Sequence, residues 1–127
     1  MVYQPQPDEP LHQATDLLNR ALMDAEDALS ELGLGVTASV ALDEGQTLYF
    51  RKKGSEWALV VTRPDDPNGT ALLQASRKTR LDAAGKLPAL RDALVDSYGI
   101  ELHRVQDAIK AVEAFTASLQ SQRRPHR

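Results

Sequence analysis

The chain has 127 residues, 42% hydrophobic and 26% charged, with 15 basic and 18 acidic side chains and a net charge of −3. That length suits one domain with a real core, and the lack of cysteine excludes disulfides, thiolate catalysis and Cys-based zinc sites. No apolar run approaches the roughly 18 residues of a membrane helix, Met1 to Pro10 lacks the basic start and apolar centre of a signal peptide, and the expected setting is cytoplasmic with no membrane contact. The charge is unevenly spread. Residues 1–50 hold nine acids and one base (Arg20), a net of −8; residues 51–86 hold eight bases and four acids, +4; residues 87–127 hold six bases and five acids, +1.

Residues 1–8, with two prolines and no period, read as a flexible arm. From Leu11 the apolar positions Leu18, Leu22, Ala25, Leu29 and Leu32 recur at helical spacing. Pro10 suits a first turn, and Asp8 or Glu9 can cap it. Gly33 followed by Leu34 reads as a helix stop. The outer face carries Asp16, Asp24, Asp27 and Glu31, which accounts for much of the acidic first half.

Strands follow. Val36, Ala38, Val40 and Leu42 alternate with smaller or polar residues, and residues 47–53 and 57–63 are rich in β-branched and aromatic types. A two-residue turn at Gly54 and Ser55 pairs Phe50 with Leu59 and Leu48 with Val61. A three-residue loop at residues 43–45 pairs Val40 with Leu48 and Ala38 with Phe50, with glycine at the bulge position. Both registers put the large apolar residues on one face. Residues 63–69 read as a loop and residues 70–75 as a fourth strand, with Leu72 on its outer face.

A second helical region starts near Ser76 or Thr79 and runs through Leu81, Ala84, Leu87, Leu90 and Leu94. Pro88 predicts a kink or break and Gly99 an end. A last helix over about residues 100–119 carries Val105, Ile109, Val112 and Leu119 on one stripe with Phe115 beside it. Residues 120–127 read as a flexible basic tail. The expectation is a single α+β domain over residues 9–119: one helix, an antiparallel meander of three or four strands, then two helices on one face of the sheet.

No catalytic chemistry emerges. His12, His103 and His126 have no metal-ligand spacing. No serine sits in a nucleophile elbow, and no glycine pattern forms a phosphate loop. Residues 65–69 lack the ligand spacing of a calcium loop. The expectation is a protein without enzymatic activity, cofactor or metal.

Two surfaces remain. Arg77, Lys78 and Arg80 crowd the start of the second helical region, where positive charge opposes the helix dipole. With free backbone N–H groups they are candidates for holding a phosphate or nucleic acid, and Arg51 and Lys53 could extend the patch. Ser76, Arg77 and Lys78, followed by Asp82, Ala83, Ala84, Lys86 and Leu87, resemble the start of the second helix of double-stranded-RNA-binding domains. That resemblance implies contact with RNA phosphates in a helix, three strands, helix order. It covers about a dozen residues; Arg80 and Leu81 stand where that family has alanine and lysine. The second surface is the outer sheet face, with Tyr49, Ala58, Val60 and Leu72 as candidates for a protein interface. The leading expectation is a small adaptor, chaperone or regulatory protein that binds a protein partner or its own copy through this face or an exposed helix. Nucleic-acid binding through the basic cluster is the alternative.

Overall fold

The computed structural model describes residues 9–123. Helix α1 (Glu9–Glu31) leads into strands β1 (Ala38–Ala41), β2 (Thr47–Lys53), β3 (Glu56–Arg63) and β4 (Asp66–Ala71), and helix α2 (Arg77–Arg123) closes the chain. The strands form one antiparallel sheet in the order β1-β2-β3-β4. The arm, residues 1–8, and the tail beyond Arg123 lie outside the described residues.

The expected registers are present. Val40 faces Leu48 and Ala38 faces Phe50 across β1 and β2. Phe50 faces Leu59 and Leu48 faces Val61 across β2 and β3. Period-two alternation therefore sends Leu48, Phe50, Leu59 and Val61 to one face, where they join Leu22 of α1 and Ala83, Leu90 and Leu94 of α2 in the core. The ring of Trp57 stacks on Phe50 at 5.6 Å, and such a pair adds about 0.5–1.5 kcal/mol beyond its burial. The β1–β2 loop turns at Asp43–Gly45 through Glu44 and Gly45, both at positive φ.

Four expectations are corrected. The C-terminal half is one continuous helix, not two: α2 runs 47 residues through both Pro88 and Gly99. Proline in a helix interior costs about 3 kcal/mol, because it deletes the bond to the carbonyl four residues back. Here Ala83 and Leu87 precede it and Leu90 and Leu94 follow it on the same core-facing stripe. Burying each leucine is worth about 1.5–3 kcal/mol, so packing on both sides offsets the defect. Leu81, expected on that stripe, is exposed, and Ala83 takes the buried place.

The fourth strand lies earlier than expected. Residues 63–66 make a tight turn, β4 spans Asp66–Ala71, and Leu72–Gln74 form a 3-10 turn. Pro67 is tolerated because β4 is an edge strand and needs few of its amide donors. The turn swings Leu72 into the core, where it is 1% exposed, instead of leaving it on the outer face.

Strand β4 covers only part of β3, whose paired residues on that side are Val60, Val61 and Arg63. Helix α1 covers the rest. Glu26 accepts the Leu59 N–H at 2.8 Å, and the Ser30 hydroxyl donates to the Trp57 carbonyl at 3.4 Å. An open strand edge invites unwanted pairing, and here a helix blocks it.

Candidate functional site

The basic residues at the start of α2 are positioned by a cap. Ser76 Oγ accepts the Thr79 N–H at 3.2 Å, as expected for an N-cap. The β1–β2 loop then folds onto this turn. Lys78 Nζ lies 2.5 Å from Glu44 Oε1, and Asp82 accepts the Asp43 N–H at 2.7 Å. The hydrogen bond from Lys78, reinforced by its charge, holds the Glu44 carboxyl below the usual glutamate range. The same bond raises the Lys78 ammonium.

Beneath them a polar chain runs from buried Thr79 and Gln46 to exposed Arg63. With the Gln46 amide oriented to satisfy its neighbours, its nitrogen donates to Thr79 Oγ1 at 3.1 Å and its oxygen accepts from Arg63 at 3.0 and 3.1 Å. A polar cleft of about 250 Å³ opens beside it, between Arg63, Asp66 and Ser76.

The five candidate bases do not gather into one patch. Arg80 turns away from the surface and donates to Asn19 of α1. Arg51 donates to the Asn68 carbonyl and lies over the Tyr49 ring at 5.2 Å. Lys78 is held by Glu44. Arg77 and Lys53 have no hydrogen-bond or ion-pair partner among the described residues, but they stand apart. The first turn of α2, which carries Arg77, meets Gln46 through Thr79 at one end of β2, and Lys53 is at the other, about 20 Å away at 3.3 Å per residue.

The outer sheet face is largely filled. Val60 is 0% exposed although it lies outside the main core. Gly69 of β4 folds directly over it, with the Arg51 guanidinium alongside. Tyr49 and Ala58 are half-buried and Leu72 is in the core. Of the four interface candidates, the two largest aliphatic side chains are therefore enclosed.

The open apolar surface lies elsewhere, on α2 beyond its last buried residue, Leu94. Residues 100–122 are all exposed. Within this segment and just before it, Val95, Tyr98, Leu102, Val105, Ile109, Val112 and Leu119 follow each other at spacings of three and four, with Thr116 completing the repeat; they are 40–61% exposed. Written as heptads, a positions are Val95, Leu102, Ile109 and Thr116, and d positions are Tyr98, Val105, Val112 and Leu119. The stripe spans about 36 Å at 1.5 Å per residue. At its body end it continues through Arg91 and Pro88 into an apolar groove of about 400 Å³ between α2 and Leu29 and Leu32 of α1.

Half of this stripe was readable in advance from Val105, Ile109, Val112 and Leu119. The rest is hidden in the sequence by Gly99, whose local preference is to end a helix; the heptad counted through that glycine includes it. Among the described residues no group of acidic and histidine side chains is placed to hold a metal ion, and no helix is long and apolar enough to cross a membrane. No protein-family model, curated protein or solved structure matches this chain.

Proposed function

We propose that this protein is a non-catalytic interaction module that docks a partner helix along the heptad stripe of α2. One observation carries the reading: residues 100–122 form a helix whose side chains are all exposed, yet whose a and d positions are apolar at every place but Thr116. Isolated helices much shorter than this are already marginal in water, and in proteins helical stability comes mostly from packing an apolar face. A stalk that packs on nothing among the described residues is suited to pack on something else. The reading favours docking over phosphate binding, because Lys78, Arg80 and Arg51 are each engaged within the chain.

The test is a photoreactive side chain at position 112, on the stripe, compared with one at position 110, off it. The expected result is an adduct from position 112 only, with its partner identified by mass, lost when Val105→Asp and Ile109→Asp are introduced together. Absence of any adduct from position 112 would overturn the reading.

A further inference from the structure

We infer that Asn68 is a site of spontaneous modification, where the backbone nitrogen of Gly69 displaces the side-chain amide and leaves aspartate or isoaspartate. This holds whether or not the stripe of α2 docks a partner.

The reacting pair is set by the sequence. The chain has two asparagines, Asn19 and Asn68, and glycine follows only the second. Attack by the next residue's nitrogen on an asparagine side chain closes a succinimide ring. A side chain on that next residue crowds the closure, and glycine has none.

A regular strand would suppress this reaction, because ladder hydrogen bonds hold each amide away from its neighbour's side chain. Strand β4 is not regular there. Asp66 pairs with Arg63 and Thr70 with Val61, which leaves Thr62 alone opposite Pro67, Asn68 and Gly69. Such a bulge leaves its extra residues outside the ladder. Asn68 is exposed to water, and Gly69 has a φ of +86°.

The fold also activates the nitrogen. To attack, the Gly69 amide must give up its proton, and the negative charge that develops is shared with the Asn68 carbonyl oxygen. Asp66 Oδ1 accepts the Gly69 N–H at 3.3 Å, so a base already holds the proton that must leave. Thr70 orients this carboxylate, its hydroxyl donating to Oδ2 at 2.9 Å. At the other end of the same peptide, the Arg51 guanidinium donates to the Asn68 carbonyl oxygen, where it stabilises the developing charge. Arg51 is itself held over the Tyr49 ring.

Water is the only co-reactant. A bond forms from the Gly69 nitrogen to Cγ of Asn68, the Cγ–Nδ2 bond breaks, and the proton taken by Asp66 leaves with Nδ2 as ammonia. Water then opens the succinimide. Cleavage at Cγ restores the main chain with aspartate at position 68; cleavage at the main-chain carbonyl routes the chain through the side chain as isoaspartate. The second product inserts a methylene into the backbone beside Gly69. Gly69 lies against Val60, with Arg51 and Thr62 alongside, leaving no room even for a Cβ. The longer backbone therefore lifts Gly69 off Val60, which is 0% exposed in the unmodified fold.

The experiment incubates the full chain at neutral pH, folded and in urea. It follows the peptide carrying Asn68 by mass, with fragmentation to separate isoaspartate from aspartate. Asn68 should convert faster in the folded chain than in urea, because Asp66 and Arg51 reach the peptide only in the fold. Asn19, inside α1 and followed by Arg20, should persist. Arg51→Met and Asp66→Asn should each slow the folded reaction roughly 10-fold or more and leave the rate in urea unchanged. Asp66→Asn keeps an acceptor for the Gly69 N–H, so its effect reports the lost base. Asn68 that survives longer in the folded chain than in urea would overturn the proposal, and so would folded rates that neither variant changes. The melting temperature of the aged chain should fall as isoaspartate accumulates and stay constant in Asn68→Ser; a melting temperature that does not follow isoaspartate overturns the loss of the Gly69 contact.

Discussion

The carboxylate of Glu26, on α1, accepts the backbone N–H of Leu59, in the middle of the sheet, at 2.8 Å. Strand β4 stops short of this point, so the donor has no strand partner on that side. Leu59 is buried, and a buried N–H left unsatisfied costs about 1–3 kcal/mol. Glu26→Leu should therefore lower the free energy of unfolding by about that amount. Glu26→Gln, which keeps an acceptor, should lose markedly less. Urea denaturation of the three proteins decides it, and equal losses for Leu and Gln would show that the bond contributes nothing specific.

Gly69 should be the least replaceable glycine in the chain. Its φ is +86°, and a Cβ there would collide with the Val60 side chain and crowd Arg51 and Thr62. A non-glycine residue in left-handed backbone costs about 1–2 kcal/mol, and overpacking adds about 1–3 kcal/mol. Gly69→Ala is expected to destabilise by roughly 2–5 kcal/mol, read from thermal or urea melts. Gly54→Ala is the control: it shares the positive φ but has no neighbour within 4 Å, so it should lose only the backbone part. The difference between the two variants measures the packing of Gly69 on Val60.

The meander was legible because each hairpin admitted only one register that kept Leu48, Phe50, Leu59 and Val61 together, and a slip of one residue would have exposed them all. The fourth strand was not. Pro64, Pro67, Asn68 and Gly69 carry strong loop preferences, and only the close approach of the Gly69 backbone to Val60 shows why a glycine-bearing edge strand belongs there. Leu72 was misplaced for the same reason, since extending a strand pattern through it ignores the turn that swings it inward. The start of α2 was legible as a capped, basic turn, but the partners of that charge were not. Glu44, Asn19 and Asn68 lie 17 to 61 residues away from the bases they meet, and periodicity carries no information across such separations. The stalk was split in two because local rules at Pro88 and Gly99 outweighed a core stripe that passes through both.

That conflict makes α2 improvable. Pro88 and Gly99 are exposed and interior to the helix. Pro88→Ala restores a donor to the Ala84 carbonyl. It should recover roughly 2 kcal/mol: about 3 kcal/mol for proline in a helix, less about 1 kcal/mol for the greater freedom of the unfolded chain. Gly99→Ala meets no neighbour within 4 Å and should raise helix stability by about 1 kcal/mol. Hydrogen exchange of the amides of residues 84–104 is the suitable measurement. Slower exchange on both sides of each substitution is expected; faster exchange after Pro88→Ala would mean that the groove depends on the proline ring.

The Lys78–Glu44 pair ties the β1–β2 loop to the first turn of α2 and sets a pH window. Glu44 titrates below its ordinary value because Lys78 hydrogen-bonds its carboxylate, and a carboxyl depressed in the folded state adds stability that is present above its unfolded pKa and lost as pH falls through the folded one. Lys78 titrates above its ordinary value for the reciprocal reason, so its contribution is full below the unfolded pKa and lost as pH rises through the folded one. The pair therefore holds throughout neutral pH, with its acid limit set by Glu44 and its alkaline limit by Lys78. Both side chains are well exposed, at 65% and 73%, so solvent screens the pair and global stability should barely register its loss. The local readout is sharper. In a carbon-detected NMR titration, Glu44 should have a midpoint below the ordinary glutamate range, and Lys78→Met should move it up into that range. A Glu44 midpoint already in the ordinary glutamate range in the unsubstituted protein would mean that the loop is not pinned to α2 in solution.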